Sequence, residues 1–187
     1  ACAHRHGLGV ILDVVYNHFG PEGNYTGAFS DFYLHEQRAG PWGPAVNLDG
    51  EQSRPVREFF IENALHWIHE YHLDGLRLDA THAMTDDGPL HFAAELGERV
   101  RASLPASRRV ALIAEDERAL AAIVEPRAEG GWGLDGVWAD DFHHQVRRLL
   151  AGDREGYYAK YEDRVENLAP ILDRGDDPRR FVICLQN

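Results

Sequence analysis

Five short apolar runs separated by helix-like stretches constrain this chain's fold more than any other feature. They are LGVILDVVYNH (8–18), LDGLRLDA (73–80), RVALIAED (109–116), LDGVWADD (134–141) and RRFVICLQN (179–187). Because they are mostly apolar on both faces, they suit parallel strands covered by helices better than half-solvated ones. The clearest helical pattern covers 54–72, where Val56, Phe60, Ala64, Trp67 with Ile68, and Tyr71 form one stripe. Ser53 stands where an N-cap belongs, Pro55 falls in the first turn, and Arg57, Glu58, Glu62 and Glu70 occupy the polar side. Weaker helical patterns cover 90–104, 118–125, 142–151 and 155–172. Strand and helix alternating in this order predict a parallel α/β architecture.

Within three of the runs the polar residues come late: Asp13, Asn17 and His18; Arg77 and Asp79; Glu115 and Asp116. In βα barrels and doubly wound sheets alike, ligands bind at the carboxyl ends of the strands, so the pattern points to a site. The second run is the most informative. By period-2 alternation Leu76 and Leu78 share one face, while Gly75, Arg77 and Asp79 share the other. Two charges aimed the same way from a buried-looking strand are costly unless they pair, so a structural salt bridge is one reading. In a barrel the leucines would meet the surrounding helices and the charges would face inward near the mouth.

Between the first two runs the helix accounts for only the last third. The remainder, residues 19–50, is rich in Gly, Pro and aromatics and reads as a long loop. Tyr25, Phe29, Phe32, Tyr33 and Trp42 supply aromatic surface that must be buried or stack on a ligand. Trp42 is the strongest candidate for a stacking platform, with a buried structural tryptophan as the alternative.

Composition narrows the function classes. The 187 residues are 44% hydrophobic and 27% charged, a globular composition, and the formal charge of −12 repels nucleic acid backbones and anionic lipid surfaces. Cys2 and Cys184 stand at opposite ends with no CxxC spacing, which fits a reducing cytoplasm. No run of membrane-spanning length and no signal-like start argues for a membrane or for export. The opening ACAHRHGLG without an initiator Met suggests an excerpt from a longer chain, with residues 1–187 forming part of one catalytic domain.

Two carboxyls in different settings carry the chemistry. Arg77 beside Asp79 favours the charged form of that carboxylate, as a nucleophile requires. Glu115, next to Ala114 after an apolar strand, is placed for burial to keep it protonated and serve as general acid. Opposite roles for two carboxyls suggest glycoside hydrolysis, retaining at a separation of about 5 to 5.5 Å and inverting at about 6.5 to 9.5 Å. No cofactor is called for. The HRH at 4–6 imitates a metal motif but precedes the first strand at the end of a helical stretch. Asp140, Asp141, His143 and His144 read either as an acidic helix N-terminus followed by packing histidines or as a substrate loop. DRGDDPRR (173–180) reads as a solvated turn.

DVVYNH (13–18), GLRLDATH (75–82) and IAED (113–116) resemble, in order, three signature regions of the alpha-amylase family of glycoside hydrolases. The resemblance implies a (β/α)8 TIM barrel of which this chain holds about strands three to seven. It makes Asp79 the nucleophile, Glu115 the general acid/base and Arg77 the group that orients Asp79. Asn17 and His18 would contact the sugar at the cleavage subsite, with Asp13 in support. His82 is carried as a substrate contact, although it stands three residues after Asp79 where many members place a histidine four after. The wording of NHFGPEGNY, WGPAVNLDG, GLDGVWADDFHH and AGDREGYY is similar to the branch of the family that releases trehalose from the end of a maltooligosaccharide. Branching enzymes share the three signature regions and are the alternative, and a catalytically silent carbohydrate-binding barrel is the alternative of another class. The third carboxylate of the family falls beyond Asn187, so the isolated 187-residue chain is expected to lack turnover.

Overall fold

The computed structural model describes residues 2–40, 42–173 and 180–185. Its strands are β1 (Ile11–Val14), β2 (Leu34–Gly40), β3 (Gly43–Val46), β4 (Gly75–Leu78), β5 (Ala111–Glu115), β6 (Gly136–Trp138) and β7 (Phe181–Val182). The helices are α1 (Cys2–Arg5), α2 (Thr26–Phe29), α3 (Ser53–His69), α4 (Phe92–Ser103), α5 (Asp141–Leu150) and α6 (Leu168–Leu172). Strands β1, β4, β5, β6 and β7 form one parallel sheet in that order, and β2 and β3 form a separate antiparallel hairpin. Strand order follows chain order with no reversal, which is how a barrel wall is wound and not how a doubly wound sheet is.

The two faces of the sheet differ as the alternation in β4 requires. Leu76, Leu78, Leu112, Ala114, Val137 and Ala139 are buried on one face. They share a single core with Val56, Phe60, Ile61, Ala64 and Ile68 of α3 and Phe92, Ala93, Leu96 and Val100 of α4. On the other face Ile11, Asp13 and Val15 are exposed, Ile11 by 49%. Gly75 opens β4 at a close approach to β5, since a Cβ there would lie 2.7 Å from the Ala111 carbonyl oxygen.

Several sequence expectations need correction. Helix α3 starts at Ser53, so the N-cap position belongs to Gln52, in the left-handed region at φ 56°, and no side chain caps it. Arg57, expected on the polar side, is buried, because Glu95 and Asp86 neutralise it beneath the helix. Tyr71 lies past the helix end and is exposed, so the buried stripe closes at Ile68. The pattern at 118–125 is only a 3-10 turn, Ala121–Ile123. Asp116 turns the preceding backbone by accepting from the Arg118 N–H at 2.9 Å, and Pro126 closes the segment. The pattern at 155–172 breaks into the 3-10 turns Gly156–Lys160 and Val165–Asn167 and the short α6, since Gly156 has φ 57° and Pro170 suits only a first turn. The loop at 19–50 contains α2 and the whole β2–β3 hairpin. Of the turn expected at 173–180, residues 174–179 lie outside the described residues, as do 186 and 187 of the fifth run.

Candidate active site

Parallel register places the polar residues next to one another. Asp13 pairs with Arg77 across β1 and β4, and Leu78 pairs with Ala114 across β4 and β5, so Asp79 and Glu115 follow at adjacent positions one step further on. Arg77 ties these strand ends together. Its Nη1 donates to both carboxylate oxygens of Asp13 at 2.7 Å and to Asp79 Oδ1 at 3.4 Å, while Nη2 lies 3.8 Å from Glu115 Oε2. The guanidinium also sits 5.2 Å from the ring centroid of Trp138. Burial opposes its charge, but Asp13, Glu115 and Asp79 together raise its pKa and keep it a cation. The salt bridge read from the sequence therefore exists, with Asp13 as its shorter partner and two further carboxylates in reach.

Asp79 is held from the β1 side as well. The buried Asn17 donates from Nδ2 to the Asp79 carbonyl oxygen at 2.7 Å and to Oδ2 at 3.0 Å. The Asn17 Oδ1 is in turn bonded to His18 Nδ1, and the His18 ring stacks on Trp42 at 5.3 Å between centroids. Trp42 reaches this place from the turn of the hairpin, which a bridge from His18 to Ala45 fastens to the loop after β1. At 40% exposure Trp42 is not the buried tryptophan of the alternative reading.

Glu115 occupies a drier position. Its Oε2 accepts the Ala80 backbone N–H at 2.5 Å, and Ala80 adopts the left-handed conformation at φ 43°. A non-glycine residue there is strained, and the strain accompanies an N–H aimed at a carboxylate. Burial first, and then a hydrogen bond with the Asp140 carboxyl, push the Glu115 pKa up to about 7, against the Ala80 N–H and Arg77, which lower it. Asp116 faces away from this chemistry, fully buried and bonded to Thr81 Oγ1 at 2.8 Å and to Arg118 Nη2 at 2.7 Å.

Asp79, Glu115, His82 and Trp42 line one cleft of about 230 Å3, together with Ala80, Glu117, Asp140, His143, His144, Tyr157 and Tyr158. His82 brings a buried Nδ1 with no hydrogen-bond partner among the described residues. Asp140 and Asp141 do begin a helix and the two histidines are buried, yet Asp140 and both histidines also border the cleft, so both readings of this stretch hold in part. Burial lowers the His144 pKa to about 4 and keeps the ring neutral, stacked 4.9 Å from Tyr157. Sequence reasoning missed Ala80, Glu117, Tyr157 and Tyr158. Only GYY after a glycine turn hinted at the tyrosines, and nothing local placed them beside a residue forty positions earlier.

His4 of the HRH donates from Nε2 to Asp74 Oδ2 at 2.7 Å, and no metal-binding group of three side chains occurs among the described residues. No helix among them is long and apolar enough to cross a membrane.

No family model matches the chain. Among solved structures it superposes on a candidate alpha amylase of Salmonella typhimurium with a TM-score of 0.70 and 38% identity, covering 84% of this chain and 26% of that one. The chain belongs to the alpha-amylase family of glycoside hydrolases, whose catalytic domain is a TIM barrel. Within that family it is 42% identical over 174 residues to the malto-oligosyltrehalose trehalohydrolase of Rhizobium sp. strain M-11, covering 92% of this chain and 29% of that protein. Identity to the 1,4-alpha-glucan branching enzyme of Myxococcus xanthus is lower, 33% over 176 residues, with 80% of this chain and 23% of that protein covered. The chain thus spans less than a third of the length of the curated relatives it matches.

Proposed function

We propose that the chain is the central part of the catalytic barrel of a retaining glycoside hydrolase, holding strands three to seven. Its substrate is maltooligosyltrehalose, and the bond cut is the α-1,4 linkage next to the terminal trehalose. The observation that carries this reading is one guanidinium, Arg77, in reach of both Asp79 and Glu115 at adjacent strand ends above a shared cleft. Neighbouring strands lie about 4.8 Å apart, a spacing that suits a nucleophile and an acid on the same anomeric centre.

In this reading protonated Glu115 gives its proton to the glycosidic oxygen as the C–O bond breaks, and Asp79 forms a covalent bond to the anomeric carbon. Water, deprotonated by Glu115, then releases the sugar and restores both carboxyls. Asn17 and Arg77 fix the direction of the Asp79 carboxylate. Asp13 holds Arg77, and Trp42 and His18 offer a stacked edge for a sugar ring. His82 contacts the substrate from the turn after β4. The cytoplasm remains the proposed compartment.

The 42% identity to a trehalohydrolase against 33% to a branching enzyme favours hydrolysis over glucan transfer. The test is to incubate the full-length protein separately with maltooligosyltrehalose and with amylose. Free trehalose from the first is expected, and the rate should fall as pH rises through about 7, because Glu115 must carry a proton and its pKa is pushed up to about 7. New α-1,6 branches in amylose would replace this reading with a transferase, and sugar binding without any product would leave a silent barrel.

A further inference from the structure

The peptide unit joining Asp79 to Ala80 lies between the two carboxyls of the proposed reaction and is bonded on both sides. Its carbonyl oxygen accepts from Asn17 Nδ2 at 2.7 Å, towards β1, and its N–H donates to Glu115 Oε2 at 2.5 Å, towards β5. One planar group therefore links the residue that carries the nucleophile to the acid. Ala80 continues the chain in the left-handed conformation, φ 43° and ψ 55°, which a residue with a Cβ does not hold unaided. The turn needs a restraint from its surroundings.

Thr81 supplies it. The side chain is fully buried, and its hydroxyl has one proton with two acceptors in reach at the end of β5: Asp116 Oδ2 at 2.8 Å and the Glu115 carbonyl oxygen at 3.0 Å. The anchor is itself held. Asp116 is fully buried, its N–H donates to the Trp138 carbonyl of β6 at 3.0 Å, and Arg118 grips its carboxylate through Nε at 2.9 Å and Nη2 at 2.7 Å. On the near side the Asp79 N–H donates to the Val14 carbonyl of β1 at 3.0 Å. Ala80 thus stands between two residues fastened to different strands, and the Ala83 N–H closes the turn on the Ala80 carbonyl at 2.8 Å.

We infer that Thr81 is a positioning residue for the acid: its hydroxyl, stapled to Asp116, keeps the Ala80 N–H on Glu115 Oε2 and leaves Oε1 to carry the proton. The inference rests on the reading of Glu115 as the acid. When Oε1 gives its proton to the oxygen of the breaking C–O bond, Glu115 becomes an anion, and an N–H already aimed at it then bonds to a charge and strengthens. A donor that gains strength as the reaction proceeds lowers the barrier, whereas one that binds both states alike does not. Without the staple the left-handed turn relaxes and the N–H leaves Glu115. Asp79 stays in place, because β1 holds its N–H and Asn17 holds its carboxylate at 3.0 Å.

The experiment measures kcat/KM of the full-length enzyme on two donors: maltooligosyltrehalose, whose leaving oxygen needs a proton, and an α-maltooligosyl fluoride, whose fluoride leaves with little help from an acid. The ratio reports the steps up to the first bond cleavage, so later hydrolysis of the glycosyl-enzyme does not enter. Thr81→Val is expected to lower it about tenfold on the first donor and by no more than about twofold on the second. Thr81→Ser keeps the hydroxyl and should restore the first. Should Thr81→Val fail to fold, Thr81→Ala carries the same test. An active Thr81→Val that loses both donors alike, or neither, or a Thr81→Ser as impaired as Thr81→Val, overturns the staple. Glu115→Gln separates the two readings, with a large loss confined to maltooligosyltrehalose expected. Full activity on both donors, or equal loss on both, would remove Glu115 from the acid's role, whereas the expected Glu115→Gln beside a Thr81→Val of unaltered donor preference sinks only the part of Thr81.

Discussion

Asp79→Asn in the full-length enzyme is expected to lower kcat by on the order of 10⁴-fold while leaving affinity for the sugar within a few-fold of wild type. The carboxylate is the only part of the side chain that can bond to the anomeric carbon, and an amide of the same shape cannot. The surroundings should tolerate the change. Arg77 keeps its two 2.7 Å contacts with Asp13, and Asn17 keeps its 2.7 Å bond to the backbone carbonyl of residue 79. Folding and binding are thereby separated from chemistry. Initial rates of trehalose release, beside calorimetric titration with the same substrate, check both halves. An unchanged kcat would remove Asp79 from the nucleophile's role.

Arg57→Met is expected to have the largest effect on stability, about 3–5 kcal/mol. Arg57 is buried under α3 and makes four short bonds: Nε to Glu95 Oε2 at 2.6 Å, Nη1 to Asp86 Oδ2 at 2.6 Å and to the Leu48 carbonyl at 2.9 Å, and Nη2 to the Leu90 carbonyl at 2.8 Å. Methionine fills much of the volume but leaves a fully buried Asp86 and a nearly buried Glu95 short of their cation. The exposed Arg54 still reaches Glu95 at 2.5 Å, but not Asp86, so compensation is partial. Burial raises the Glu95 pKa, and Arg57 and Arg54 more than offset it, so the net shift is downward. A depressed carboxyl stabilises the fold above its unfolded-state pKa and loses that contribution as pH falls through its folded one. The penalty of Arg57→Met should accordingly be largest near neutrality and shrink in acid. Denaturant unfolding at two pH values measures it, and a loss below about 1 kcal/mol at neutral pH would contradict the buried-network account.

The parts of the fold that depend on local periodicity were legible beforehand. Leu76 and Leu78 are buried against the helices, and Arg77 and Asp79 lie on the opposite face, as alternation alone requires. Register was legible only in its consequence: polar residues at late strand positions meet when parallel strands pair in step, as Asp13 and Arg77 do. Features decided by tertiary contact were not legible. Arg57 sits at a polar position of the helical pattern, and its burial depends on carboxylates 29 and 38 residues away. The hairpin of β2 and β3 lacks a short turn signal, and its strands mix Gly, Pro and charge, so it reads as loop. Ala80 offers no sequence hint of a left-handed backbone, because the conformation is imposed by the turn between Asp79 and Thr81.

The central claim is that Asp79 attacks one sugar carbon while Glu115 serves the oxygen leaving it. The most direct measurement is to react Glu115→Gln of the full-length enzyme with an activated 2-fluoro glucosyl donor, whose glycosyl-enzyme forms without acid help and hydrolyses slowly, and to map the adduct by peptide mass spectrometry. A single glucosyl adduct on Asp79 is the predicted result. An adduct on another carboxylate, or rapid donor hydrolysis with no adduct at all, would contradict it.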